Sequence, residues 1–113
     1  MQYLLLIAEP EAPIPDAILQ DILAKHMKLG EELVASGMSW SGNRLKESHT
    51  ATTIAQGAGG ARTLHDGPYT ETREQLGGYY LIEAADLDEA LKWANKIPLV
   101  DGGKVEVRPV WEM

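Results

Sequence analysis

Two short segments, Tyr3-Leu4-Leu5-Leu6-Ile7-Ala8 and Tyr79-Tyr80-Leu81-Ile82-Glu83-Ala84, constrain this chain most. The first is apolar without a break and the second nearly so, yet both are too short for a buried helix. Runs of this length that do not alternate suit central strands covered on both faces. Such strands need neighbours at each edge and cover above and below, and the rest of the chain must supply both.

Pro10, Pro13 and Pro15 break the chain after the first run, and Asp16 is placed to cap a helix from about Ala17 to Ser36 that stops at Gly37. Its apolar face is Ile18, Leu19, Ile22, Leu23, Leu29, Leu33 and Val34. Met38 to Lys46 and Thr50 to Ala55 read as short strands. Gln56-Gly57-Ala58-Gly59-Gly60 reads as a hairpin turn, with Ala61 to His65 returning. Asp86, with Glu89 three residues on, marks a second helix that Pro98 stops. Leu87, Ala90, Leu91, Ala94 and Ile97 form its expected buried stripe, with Trp93 at the margin. Lys104-Val105-Glu106-Val107-Arg108 alternates and closes the sheet. This order predicts an α+β fold, a ferredoxin-like split βαβ domain with an antiparallel sheet and two helices on one face. Right-handed crossovers place both helices on the same side. The other face then needs cover, and a second copy of the chain would provide it in a symmetric homodimer.

At 113 residues the chain reads as one domain, 1–113, with no internal repeat or linker. The opening segment lacks the basic region of a signal peptide and no apolar run approaches ~20 residues, so the expectation is a cytoplasmic protein with no membrane contact. The absence of cysteine excludes disulfides, zinc-thiolate sites and thiol chemistry. A net charge of -7 speaks against a nucleic-acid surface. His26, His49 and His65 have no metal-ligand spacing, and Gly57-Ala58-Gly59-Gly60 lacks the Lys-Ser/Thr of a phosphate loop. No metal or cofactor is therefore expected, and no G-x-S-x-G elbow is present.

Two features point to chemistry. Between His65 and Tyr79 lies a charged stretch, Asp66 to Gly78, far longer than a hairpin loop needs. Tyr69, Glu71 and Arg73 on it are candidate ligand-binding residues, although Thr72 and Gln75 also have the spacing of a short helical turn. The second feature is His26, four residues after Ile22 and three before Leu29, in the middle of an apolar stripe with Gly30 beside it. It is either a core histidine with one satisfied partner or an acid-base group titrating near neutrality. Asp66 is the best candidate to orient it. Arg108, on the side of the last strand away from the helices, needs Glu106, Glu83 or a bound anion as partner.

The opening Met1 to Ile7, the stretch Asp66 to Tyr80, the helix Leu87-Asp88-Glu89-Ala90 and the ending Val105-Glu106-Val107-Arg108-Pro109-Val110 together resemble the YCII-related family. The likeness is to its DGPF-type branch, with Tyr69 where the motif has phenylalanine. The resemblance implies a ferredoxin-like protomer pairing as a dimeric α/β barrel, and a His-Asp site for which His26 and Asp66 are the counterparts here. It also implies two functional classes. One is a small isomerase- or lyase-like enzyme taking an organic metabolite in a dimer cleft. The other is a non-catalytic regulatory module linked to an extracytoplasmic-function sigma factor.

Overall fold

The computed structural model describes residues 1–70 and 72–112. Strands β1 (Gln2–Pro10), β2 (Trp40–Arg44), β5 (Glu74–Glu83) and β6 (Lys104–Pro109) form one sheet in the order β2-β5-β1-β6. Every neighbouring pair is antiparallel. Helix α1 (Asp16–Ser36) follows β1, and α2 (Leu87–Ala94) joins β5 to β6. Strands β3 (Thr52–Gln56) and β4 (Arg62–Asp66) make a separate two-stranded hairpin inserted between β2 and β5.

The two apolar runs occupy the centre, β1 against β5, as their composition requires. Alternation then sorts the side chains. Tyr3, Leu5 and Ile7 of β1, with Tyr80 and Ile82 of β5, turn to the helices and form one core with Leu29 and Leu33 of α1 and Ala90, Trp93 and Ala94 of α2. Leu5, Leu33 and Ile82 are fully enclosed. Removing each from water is worth about 1.5–3 kcal/mol. On the opposite face, Leu4, Leu6, Tyr79 and Leu81 remain only partly buried.

The helix ends follow local rules with one change. Asp16 is the first helical residue, not the cap; Pro15 takes the cap position and its carbonyl accepts from the Leu19 amide at 3.0 Å. Gly37 closes α1 at φ 75°, a left-handed geometry that a side chain would oppose. Asp86 caps α2 as its spacing predicts, accepting from the Glu89 amide at 2.9 Å.

Three packing details depart from the sequence reading. In α2 the buried set is Ala90, Trp93 and Ala94, continued by Ile97 beyond the helix, while Leu87 and Leu91 are exposed. The large indole takes the core position and rotates the stripe. In α1, Ile18 and Val34 lie in solvent, and only Leu29 and Leu33 are buried. The stretch after Asp66 is also shorter than a free loop of that length, because Glu74 to Gly78 already belong to β5. No helical turn forms at Thr72; the Gln75 side-chain Nε2 donates to the Thr70 and Thr72 carbonyls at 2.6 and 2.8 Å.

Candidate functional site

The N-terminal half of α1 crosses the sheet where the sheet has no side chains to offer it. Gly42 of β2 and Gly78 of β5 both face the helix, since they pair with Tyr80 and with Ile7 and Arg44. A Cβ on Gly42 would lie 2.8 Å from the Tyr79 carbonyl oxygen and 2.9 Å from the Tyr80 ring. A β-bulge between Ile7 and Ala8, opposite Gly77, bends the strands at the same point. The result is a cleft of about 220 Å³ between α1 and β1, β5 and β2. Ile7, Ile14, Leu19, Ile22, Leu23 and Trp40 give it apolar walls, and His26, Glu9, Arg44 and Tyr80 supply its chemistry. It opens into a shallower depression of about 400 Å³ that shares Glu9, Ile14, Leu19, Arg44 and Gly77 and is bordered by Lys46 and Glu47.

His26 lies half-buried in this cleft. Its Nδ1 is 2.7 Å from the Tyr80 hydroxyl, and the two rings stack at 5.9 Å with 17° between their planes. Burial holds the imidazole below its usual pKa; Glu9 pulls it up and Arg44 pushes it down. Burial also raises the Tyr80 phenol. Both groups are therefore neutral near pH 7. Nδ1 and the Tyr80 hydroxyl share this hydrogen bond, and the ring tautomer sets which of the two donates. With the phenol as donor the ring proton sits on Nε2, and with Nδ1 as donor Nε2 is a free acceptor. Trp40 leans on Tyr80 at 5.9 Å and holds the phenol in place.

Glu9 and Arg44 complete the polar set. The Glu9 carboxylate is positioned by the Val100 amide, which donates to Oε2 at 3.2 Å. Arg44 is exposed on the cleft side of β2 and has no ion-pair partner among the described residues. An apolar pocket with a neutral imidazole, a carboxylate and a free guanidinium is suited to a small organic molecule with an oxygen function at one end.

The sequence-predicted residues are distributed differently. Only His26 lines the cleft. Asp66 ends β4 on the hairpin, is exposed, and lines neither depression; the carboxylate that shares the cleft with His26 is Glu9. Tyr69 is 86% exposed, and Arg73 is also in solvent. Glu71 lies outside the described residues. From the same stretch, Gln75 lines the outer depression, Gly77 both, and Gly78 and Tyr79 the cleft itself. Arg108 is on the far side of the sheet, 2.5 Å from Glu106 and open to water. Sequence reasoning missed Glu9, Trp40, Arg44 and Tyr80. The period of two in Trp40-Ser41-Gly42-Asn43-Arg44 puts Trp40, Gly42 and Arg44 on one side, which was the available signal. Among the described residues there is no cluster of three metal-ligating side chains, and no helix is long and apolar enough to cross a membrane.

The YCII-related domain model matches residues 1–113 of this chain. An uncharacterised protein of Rhizobium meliloti (strain 1021) is 36% identical over 97 residues, covering 84% of this chain and 74% of that protein.

Proposed function

The chain belongs to the YCII-related family, and we propose that it binds a small organic acid or ketone in the α1 cleft and moves a proton on it. The observation that carries this reading is a neutral His26, tied to Tyr80 at 2.7 Å, inside an apolar cleft it shares with Glu9 and Arg44. A neutral imidazole donating from Nε2 polarises a carbonyl oxygen, and burial keeps it from becoming an imidazolium. Arg44 holds a carboxylate or the developing oxyanion. The Glu9 carboxylate takes the proton from the carbon next to the carbonyl. The electron pair of that C–H bond forms a carbon–carbon double bond while the carbonyl π pair moves to the oxygen held by His26, and reprotonation from Glu9 returns the ketone or its isomer. This is isomerase-type acid-base chemistry with no cofactor.

In this reading the protein works as a homodimer. Two copies pair through the uncovered sheet face, where Leu4, Leu6, Tyr79 and Leu81 form an apolar centre between Ser41 and Asn43 on one side and Glu106 and Arg108 on the other. Proton exchange tests the cleft directly. A panel of 2-oxo acids in D₂O, followed by ¹H NMR, should lose its C3 proton signals faster with the protein than without. Glu9→Gln should abolish the gain, and His26→Gln should reduce it by about 10²-fold or more. Binding and exchange unchanged by both substitutions would refute the assignment.

A further inference from the structure

We infer that Trp40 is the end wall of the cleft and limits the apolar tail of the acid bound there. This rests on the ligand class proposed above and narrows it to 2-oxo monocarboxylates that enter tail first. Strand register orders the cleft along its length. Across the sheet, Arg44, Gly78 and Ile7 make one rung, Gly42, Tyr80 and Leu5 the next, and Trp40, Ile82 and Tyr3 the third. Arg44 also borders the outer depression, so the first rung is the mouth. In the third rung Tyr3 and Ile82 are core residues, clustered with Leu29 and Leu33 of α1. Only Trp40 of that rung lines the cleft. Its indole leans on Tyr80 at 5.9 Å and reaches α1 at Gly30, where a Cβ would lie 3.5 Å from Cη2. The ring thus spans from sheet to helix and closes the inner end.

The polar groups decide which end of the ligand goes in. Glu9 and Arg44 stand at the mouth and border both the cleft and the outer depression. Deeper in, the walls are Ile22, Leu23 and Trp40, and the Tyr80 hydroxyl and one nitrogen of His26 bond to each other. A carboxylate at the inner end would meet no cation, and an unpaired buried charge is costly. It stays instead with Arg44, whose guanidinium has no ion-pair partner among the described residues. The 2-oxo group then lies beside His26, and the carbon chain runs toward the indole. At about 220 Å³ the cleft is smaller than the roughly 300–1,000 Å³ of pockets for drug-sized ligands, so the tail is short.

Binding of the straight-chain carboxylates from propanoate to octanoate tests the wall without any turnover. NMR titration followed at the His26 ring resonances gives each dissociation constant and reports entry to the cleft. In the wild type each added methylene should tighten binding about fourfold until the tail meets Trp40, where the gain stops. Trp40→Phe and Trp40→Leu should carry the gain further along the series, leucine further than phenylalanine. Phenylalanine keeps an aromatic side chain beside Tyr80, and thermal unfolding by circular dichroism checks that each variant is folded. A stop at the same chain length in all three proteins would overturn the wall. So would a uniform loss of affinity in the variants, which is what a ring that only supports the fold would give, or no binding by the wild type. A dicarboxylate that binds more tightly than the monocarboxylate of equal length would overturn tail-first entry. A stop that moves in the variants, with no proton exchange on any 2-oxo acid, would support the wall and refute the proton transfer proposed above. Exchange in the wild type with a stop that does not move would do the reverse.

Discussion

Two glycines meet the aromatic pair beside the cleft from opposite sides, and alanine at each should have opposite effects. Gly30 is in the interior of α1, where its Cβ would rest 3.5 Å from Trp40, an ordinary contact. Alanine there removes the helical penalty of glycine, about 1 kcal/mol, and fills open space. Gly30→Ala should therefore stabilise the protein by about 0.5–1 kcal/mol. Gly42 sits on β2, where a Cβ would approach the Tyr79 carbonyl oxygen to 2.8 Å and the Tyr80 ring to 2.9 Å. The carbonyl belongs to a paired strand and cannot retreat, so overpacking costs about 1–3 kcal/mol. A displaced Tyr80 ring also loses its bond to His26, about 0.5–1.5 kcal/mol more. The stiffer unfolded chain returns less than about 1 kcal/mol. Gly42→Ala should therefore destabilise by about 1–4 kcal/mol. With roughly 4–8 °C per kcal/mol for a domain near this size, the two melting temperatures should move apart by about 6 °C or more. Thermal unfolding by circular dichroism measures this, and the His26 ring resonances should shift in Gly42→Ala only. Equal shifts of the same sign would refute the reasoning, since they would mean that Tyr80 does not pack over Gly42.

The titration of His26 should make stability depend on pH in one direction. Its folded pKa lies below the ordinary histidine value of about 6.5, so the unfolded chain takes up the proton first. Stability is thus fully present above about pH 6.5, falls as the pH drops toward the folded pKa, and levels off below it; His26→Gln should lose this acid-side fall in urea titrations, beside a pH-independent offset from the lost contact with Tyr80. Asp86→Ala removes the cap of α2 and should lower stability by about 1 kcal/mol in urea unfolding, with cleft binding unchanged. Arg108→Ala breaks an exposed pair with Glu106 and should change stability by less than about 1 kcal/mol, leaving proton exchange in the cleft intact.

What could be read from the sequence was what local rules decide. The central strands were legible because six apolar residues in a row have few alternatives, and the strand-helix order followed from period and punctuation. The Asp86 cap was legible from its spacing to Glu89. Positions set by contacts between elements were not. Nothing local distinguishes Trp93, which is buried, from Leu91, which is not. In α1, Leu19, Ile22 and Leu23 have the same spacing as Leu29 and Leu33, yet they line a cleft and the latter two fill a core. The difference lies across the gap, in two glycines on strands far away in sequence.

That distinction also explains why His26 was found and its neighbours were not. Its place on the apolar stripe is a property of one helix, whereas Glu9, Arg44 and Tyr80 meet it only after three strands take register. Asp66 was attractive because it stood in the charged stretch, but the hairpin carries it away from the helix face. Glu9 follows Tyr3, Leu5 and Ile7 on the cleft side of β1, at the point where the three prolines begin. A cleft formed over glycines has a physical consequence for its chemistry. Its floor is backbone and its walls are apolar, so its half-buried polar groups interact more strongly than they would in open water. Burial lowers the imidazole and raises the phenol, and in the proposed mechanism the 2.7 Å bond between them runs from the phenol to Nδ1, which leaves Nε2–H for the substrate. If the arrangement reversed, with Nδ1 donating to the phenol, His26 would become a base and Glu9 would have no electrophile to work against. The Tyr80→Phe variant removes the donor that selects the tautomer while keeping the stacked ring. It should leave stability within about 0.5–1.5 kcal/mol of wild type. It should also abolish most of the proton exchange and shift the His26 ¹⁵N resonances toward a mixed tautomer. Unchanged ¹⁵N shifts in that variant would mean that Tyr80 does not set the direction of the proton.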